Sequence, residues 1–156
     1  MTLGQVLGMS AVLYGLIVLA AEARFGSLEA GRAWFAGATL FVDAPEFRAN
    51  YGPEQDQTTL KYIVRNFSDV EIPVVGSSAS CSCTVTDGLP ESIPARGVVE
   101  IVGKVKIDPS RRTDDLRGSI RIYVGHDVRT EIPLSYVLKP SAKRFAVASK
   151  SDSTGT

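Results

Sequence analysis

The chain is poor in the residues that most often perform chemistry. Its 156 residues include one histidine, one tryptophan, two methionines and two cysteines, and 17 basic residues balance 17 acidic ones. The lone His126 cannot complete a Ser-His-Asp triad on this pattern, and no glycine-rich phosphate loop follows a strand. The zero net charge, without basic residues interleaved with aromatics, argues against nucleic acid as a partner. We therefore expect a non-catalytic protein without a cofactor or a small-molecule substrate.

Long apolar runs are also missing, with one exception at the N-terminus. Residues 6–21 carry no charge, and the stretch 3–21 nearly reaches the length of about 20 apolar residues that crosses a bilayer. We predict a transmembrane helix over residues 1–23, which makes the lipid bilayer one partner. Gly4 and Gly8 have the GxxxG spacing that lets a second helix approach closely, so other membrane-protein subunits are predicted partners as well.

The sequence leaves two questions about this helix undecided: whether it is cleaved, and on which side of the membrane the next domain lies. Ala21-Glu22-Ala23 has the form of a signal-peptidase cleavage site, but no basic residue precedes the apolar run, and we favour a retained anchor. Arg24 and Arg32 follow the helix, so the positive-inside rule would place the next domain in the cytoplasm by a small margin.

The junction after the helix, residues 24–38, contains two adjacent aromatic residues. Trp34 and Phe35 are predicted interaction residues. They suit the membrane interface, where aromatic side chains are enriched, and they equally suit a first contact beneath the following domain. Both interpretations stay open.

The C-terminal residues 141–156 are rich in Ser, Thr and Lys, a composition that does not fold alone. We predict a tail that is flexible or docked on a partner. Phe145 and Val147 are its candidate contacts because they belong to its only apolar cluster.

The central region, residues 39–140, alternates apolar and polar side chains as half-buried strands do. Residues 45–57 contain Pro45, Gly52 and Pro53, and we interpret them as turns. The fold predicted is all-β, an immunoglobulin-like antiparallel β-sandwich preceded by a single N-terminal transmembrane helix. The alternation is clearest in four segments, of which the last two are expected to form a hairpin: 58–66, 98–107, 118–124 and 129–138.

The two cysteines, Cys81 and Cys83, lie one residue apart after a short predicted strand. In an extended segment both side chains point to one face, and we favour two free cysteines in small pockets of the core. A disulfide is the second interpretation, since the Cα–Cα distance of such a pair only just allows it. A copper(I) site made of two thiolates is the third, and these residues are the only metal candidates.

Three stretches resemble the bacterial Hydin-like immunoglobulin-fold domains: YIVRNFSDVEIPVVGSSASCSCTV, SIPARGVVEIVGKVKI and LRGSIRIYVGHDVRTEIPLSYVLKP. The matching features are a strand that ends in Asn66, the Cys-x-Cys-Thr element at Cys81–Thr84, a turn after Ile93, and the hairpin that begins at Gly118. Ala95-Arg96 replaces the usual Pro-Gly of that turn. The resemblance implies a sandwich that acts as a scaffold or docking unit and is commonly exported from the cytoplasm.

These features together predict a non-catalytic accessory subunit anchored in the bacterial inner membrane by a single span. Its immunoglobulin-like domain would dock on the periplasmic face of a larger membrane complex, such as a respiratory or photosynthetic assembly. The alternative is a membrane-tethered thiol-redox or copper(I)-handling protein that uses Cys81 and Cys83.

Overall fold

The computed structural model describes residues 3–111, 114–125 and 130–141, without the side chains of residues 3–7, 21 and 111. Two helices come first, α1 (Leu3–Phe25) and α2 (Leu28–Phe35). The strands of the described part follow, with a short 3-10 turn at Pro109–Arg111: β1 (Leu40–Val42), β2 (Glu46–Tyr51), β3 (Gln57–Asn66), β4 (Ile72–Ala79), β5 (Thr84–Thr86), β6 (Ser92–Ile93), β7 (Val98–Lys106), β8 (Leu116–Val124) and β9 (Thr130–Pro140).

The strands form two sheets that pack face to face, so the predicted all-β sandwich is confirmed. One sheet has the order β1-β3-β7-β5, and the other has the order β2-β9-β8-β4-β6. All pairings are antiparallel except that of β2 with β9, which is parallel. The predicted hairpin corresponds to the antiparallel pair β8 and β9, whose register runs from Leu116–Leu138 to Val124–Thr130.

The interpretation of residues 45–57 as turns was wrong in part, because β2 lies among them. Its side chains alternate: Phe47 and Ala49 are half-buried, and Tyr51 is fully buried. Pro45 and Gly52 flank this strand rather than break it, as expected for turn residues at strand ends. β2 occupies a sheet edge, where only one side needs a backbone partner.

The core lies between the sheets and follows the predicted alternation. Leu60, Tyr62 and Val64 of β3 point inward and are fully buried, as are Ile120 and Ile122 of the facing β8. The Tyr62 hydroxyl donates to the Ser135 carbonyl oxygen at 2.8 Å, which ties the two sheets together. Burial raises the pKa of Tyr62 above its usual range, so its hydroxyl stays a donor.

The helices lie at one end of the sandwich. α1 is long and apolar enough to cross a membrane, with its candidate span at Gly8–Phe25, properties that a signal sequence shares. Gly26 ends α1 with a φ of +79°, and Ser27 caps α2 by accepting from the Ala30 amide at 3.1 Å. α2 places a short helix within the junction, which the sequence pattern did not indicate.

Asn66 anchors the turn regions at the helix end of the sandwich. Its side chain is buried, and the Nδ2 group lies within hydrogen-bond distance of the carbonyl oxygens of Val70, Ile93 and Pro94, at 2.7, 3.1 and 3.1 Å. Its Oδ1 atom accepts from the Ser68 amide at 2.9 Å. One amide side chain therefore satisfies backbone groups of two separate turns, which explains why a strand ends in this residue.

We predict that Asn66→Asp severely destabilises the domain. The substitution replaces the donor with a carboxylate oxygen that faces three carbonyl oxygens in a buried site, at a cost of about 3 kcal/mol or more. Thermal unfolding of the full chain in detergent, followed by circular dichroism, measures the loss. Asn50→Asp makes the same change at an exposed position of β2 and is the matched control. Equal melting temperatures of the two variants would contradict this assignment.

Candidate functional site

The two cysteines form a disulfide, so the expectation of free sulfurs in core pockets was wrong. Cys81 and Cys83 are bonded to each other with a Cα–Cα distance of 5.3 Å. The segment is a turn rather than an extended strand, since the Thr84 amide donates to the Cys81 carbonyl oxygen at 3.3 Å. Both cysteines are partly exposed, and Ser82 between them is exposed. As a disulfide, the pair has no thiolate to offer copper(I).

The turn stands where the chain crosses from one sheet to the other. β4 belongs to the five-stranded sheet and β5 to the four-stranded sheet. On one side the Ser80 amide donates to the Ser119 carbonyl oxygen at 2.9 Å, and on the other the Lys106 amide donates to the Cys83 carbonyl oxygen at 2.8 Å. The crossing is therefore attached to both sheets by backbone hydrogen bonds.

Two buried hydroxyl groups lie beside one of the two sulfurs. The Cys81 Sγ atom is 3.3 Å from the Thr84 Oγ1 atom and 3.7 Å from the Tyr136 hydroxyl oxygen. These two oxygens are 2.9 Å apart and hydrogen-bonded to each other. The Cys83 Sγ atom is 3.9 Å from Thr84 Oγ1. Disulfide sulfur carries no hydrogen, and one of the two hydroxyl protons is used in the hydrogen bond between Thr84 and Tyr136. The hydroxyl pair therefore has one proton left to donate to sulfur.

Gly118 makes room for the Tyr136 ring. It faces Tyr136 across the β8–β9 pair, and a Cβ atom at position 118 would lie 2.6 Å from the Tyr136 Cζ atom. That distance is far below a van der Waals contact. The sequence singled out Gly118 and Thr84 as motif positions, but nothing in it singled out Tyr136 among five tyrosines.

We predict that Gly118→Ala lowers the stability of the protein. The added methyl group pushes the Tyr136 ring away from Thr84 and Cys81, and overpacking of this kind costs about 1–3 kcal/mol. Thermal unfolding of the full chain measures the effect. Gly52→Ala is the control, because a Cβ at position 52 meets no atom within 4 Å. A Gly118→Ala protein as stable as the control would show that the ring is not confined in this way.

A second site lies at the opposite end of the sandwich, where α1 meets the domain. The Phe25 ring is 5.3 Å from Trp34 and 6.1 Å from Phe67, and Phe67 stacks on Phe41 at 6.2 Å between centroids. A groove of about 490 Å³ opens beside this aromatic cluster. Its lining combines apolar and charged side chains, including Arg24, Arg65, Asp69 and Arg96.

An ion pair of the sandwich lies beneath the turn after α1. The Arg65 guanidinium binds the Asp43 carboxylate through two hydrogen bonds of 2.7 Å, and both groups are mostly buried. Gly26 lies directly over this guanidinium, since a Cβ there would be 2.8 Å from the Arg65 Cζ atom. The pair is thus covered by the chain that leaves the helix.

The predicted interaction residues differ in their exposure and in where they lie. Trp34 is half-exposed against Phe25, and Phe35 is 81% exposed, so the interpretation of Phe35 as a contact beneath the domain is wrong. Gly8 is exposed in α1, with open space around its Cα, and Gly4 lies in the first turn of that helix. Phe145 and Val147 lie outside the described residues.

A third feature is an open depression of about 770 Å³ over β2, β8 and β9. It is lined by charged and polar side chains, among them Arg48, Arg117 and Lys139, and contains neither cysteine. Within the described residues, no group of three or more His, Cys, Asp or Glu side chains could hold a metal ion.

No family model matches the chain, and no curated protein matches its sequence. Solved structures share its fold. A protein of unknown function from Porphyromonas gingivalis W83 is 8% identical with a TM-score of 0.53, covering 65% of this chain and 46% of that one. The ASH/PapD-like domain of human CEP192 is 5% identical with a TM-score of 0.52, covering 66% and 85%. The YadV chaperone is 11% identical with a TM-score of 0.50, covering 65% and 52%.

The matched region spans about half the length of the Porphyromonas protein and of the chaperone. At these identities the likenesses describe the fold alone. The chain has an immunoglobulin-like sandwich of the type found in PapD-like domains, preceded by one helix long and apolar enough to cross a membrane.

Proposed function

We propose that this protein is a non-catalytic accessory subunit, anchored in the bacterial inner membrane by α1, whose domain docks on the periplasmic face of a larger membrane complex. The observation that carries the proposal is the surface of α1. None of the described side chains of the candidate span is buried, and Val12, Leu16 and Leu19 are each more than half exposed. An exposed apolar surface of this size is typical of a segment that contacts a membrane or another protein.

The dimensions of α1 support a spanning position. Its 23 residues measure about 34 Å at 1.5 Å per residue, against about 30 Å for the hydrocarbon core of a bilayer. With the helix across the core, Phe25, Trp34 and Phe35 fall at the level of the headgroups. Aromatic side chains favour that region, so the exposure of Phe35 has a physical reason in this position.

One face of α1 suits contact with another helix. Gly4, Gly8, Ala11 and Gly15 are spaced by four, three and four residues, which places them on the same side. Small residues let two helix backbones approach closely in a membrane, where dispersion contacts drive association. The proposal assigns this face to a helix of the larger complex.

The Cys81–Cys83 disulfide supports the periplasmic side. Disulfides persist in oxidising compartments and are rare in the cytosol, where thiols are kept reduced. This argument outweighs the small excess of arginine after the helix, because the positive-inside count rests on Arg24 and Arg32 alone.

We predict that Gly8→Leu releases the protein from its complex without releasing it from the membrane. The larger side chain blocks close helix approach but keeps the segment apolar. Native gel electrophoresis of mild-detergent extracts should show the wild type migrating with a large complex and the variant migrating alone. Ser10→Leu adds a side chain of the same size at a position about 200° around the helix from Gly8, and it should leave the complex intact. A wild-type protein that runs alone would refute the proposal.

We predict that the domain is reached from outside the inner membrane. A single cysteine placed at the exposed Thr59, in a chain with alanine at positions 81 and 83, should react with a membrane-impermeant maleimide in intact spheroplasts. A cytoplasmic marker protein must stay unlabelled in the same sample. Labelling of Thr59→Cys only after lysis would place the domain in the cytoplasm and reverse the topology.

A further inference from the structure

We propose that the Cys81–Cys83 disulfide is a thiol–disulfide exchange site that oxidises a dithiol, in which Cys83 is the sulfur attacked and Cys81 is the sulfur that leaves. Nothing in the docking function requires this activity. The inference is carried by three observations: the small loop that the disulfide closes, its position on the molecule, and the unequal surroundings of its two sulfurs.

The disulfide is poorly suited to a purely stabilising role. It links residues only two positions apart, and the stabilisation gained from a cross-link grows with the length of the loop that it closes. The domain already has a continuous core between its sheets, including Leu60, Tyr62 and Ile120. A bond of this kind can be opened without removing a constraint on which the fold depends.

The position of the disulfide leaves it open to a partner in solution. α1 joins the sandwich at the end that contains Asn66 and Val98, as the lining of the groove beside it shows. β7 runs from Val98 at the helix end to Lys106 at the other end. The Lys106 amide donates a hydrogen bond to the Cys83 carbonyl oxygen. The cysteine turn is therefore at the end of the sandwich opposite the helix, and both cysteines are partly exposed there.

The two sulfurs differ in their ability to leave as a thiolate. Cys81 Sγ has the Thr84 and Tyr136 hydroxyls at 3.3 and 3.7 Å, whereas Cys83 Sγ has Thr84 alone at 3.9 Å. One proton of the hydroxyl pair is used in the hydrogen bond between Thr84 and Tyr136, and the other can be donated to Cys81 Sγ. Such a hydrogen bond stabilises a charged sulfur, and the sulfur that is the better thiolate is the faster leaving group. The hydrogen bond between Tyr136 and Thr84 keeps both groups in place.

The exchange takes place in two steps. A thiolate of the dithiol attacks Cys83 Sγ, which forms a mixed disulfide and breaks the Sγ–Sγ bond, and the electron pair stays on Cys81 Sγ. The second thiolate of the same dithiol then attacks the dithiol sulfur that is bonded to Cys83 Sγ. The dithiol's own disulfide forms, the mixed disulfide breaks, and Cys83 is released as a thiolate. The dithiol loses two electrons and two protons and becomes a disulfide, while Cys81 and Cys83 take up both and become thiols.

The first test identifies the attacked sulfur in the wild-type chain. Full-length oxidised protein in detergent is treated briefly with reduced glutathione, and the liberated thiol is trapped with N-ethylmaleimide. Tandem mass spectrometry of the peptide that contains both cysteines then locates each group. We expect glutathione on Cys83 and maleimide on Cys81 in about tenfold excess over the reverse pattern, which is the ratio that a modest hydrogen-bond difference produces. An equal mixture, or the reverse pattern, would overturn the assignment.

The second test removes the hydroxyls and measures the rate of reduction by dithiothreitol. Thr84→Val should slow the reaction about three- to tenfold, and Thr84→Ser, which keeps the hydroxyl, should be faster than Thr84→Val. Tyr136→Phe should slow it as well. Tyr123→Phe removes a tyrosine hydroxyl that contacts Ser78 rather than Thr84, Tyr136 or either sulfur, and it should react like the wild type.

Thermal unfolding of each variant shows whether the variant is folded. If a variant does not fold, the glutathione experiment still tests the proposal because it uses the wild-type chain. Reduction of Thr84→Val at the wild-type rate would refute the role of the hydroxyls. Both tests use the isolated chain, so their failure leaves docking to a membrane complex untouched, and failure of docking leaves them unaffected.

Discussion

The chain must pass from the five-stranded sheet to the four-stranded sheet between Ala79 and Thr84, and this short crossing determines the chemistry at that end of the molecule. A tight turn held by backbone hydrogen bonds makes this crossing, and the disulfide lies within it. The same crossing places Thr84 at the start of β5. There its Oγ1 atom lies 2.9 Å from the hydroxyl oxygen of Tyr136 in the opposite sheet. The hydroxyl pair beside Cys81 is thus a consequence of changing sheets, and Gly118 provides the space that its aromatic member needs.

The two ends of the sandwich differ in structure. At the helix end, Asn66 holds two turns together, the Arg65–Asp43 pair lies beneath Gly26, and aromatic rings continue from Phe25 onto the domain. The Phe25–Phe67 contact and the packing of Gly26 over Arg65 join the end of α1 to the domain, which suits a subunit that is positioned by its helix. The opposite end has a polar, partly exposed turn. The proposed accessory role and the proposed exchange activity are compatible because they would use surfaces at a strand's length from each other.

The sequence predicted best the strands whose apolar and polar side chains alternate throughout, and the strands that pair with the next strand along the chain. β3 places Leu60, Tyr62 and Val64 inward, and β8 and β9 pair directly as a hairpin. β2 was missed because its partner β9 is more than 80 residues away and its parallel pairing leaves no local signal. α2 was missed because one short helix, capped by Ser27, is too brief to show a period. Tyr136 could be assigned only once the topology placed it beside Thr84, 52 residues earlier.

The way in which the two sheets are held together supports opening of the disulfide in the folded state. In immunoglobulin domains of antibodies a disulfide joins the two sheets across the core, so its reduction weakens the sandwich itself. In this chain the cysteines pair with each other, and the sheets are linked by packing and by hydrogen bonds such as Tyr62 to Ser135 and Thr84 to Tyr136. Reduction would break no covalent connection between the sheets. The reduced protein would therefore keep the hydroxyls near Cys81, in position for the reverse reaction.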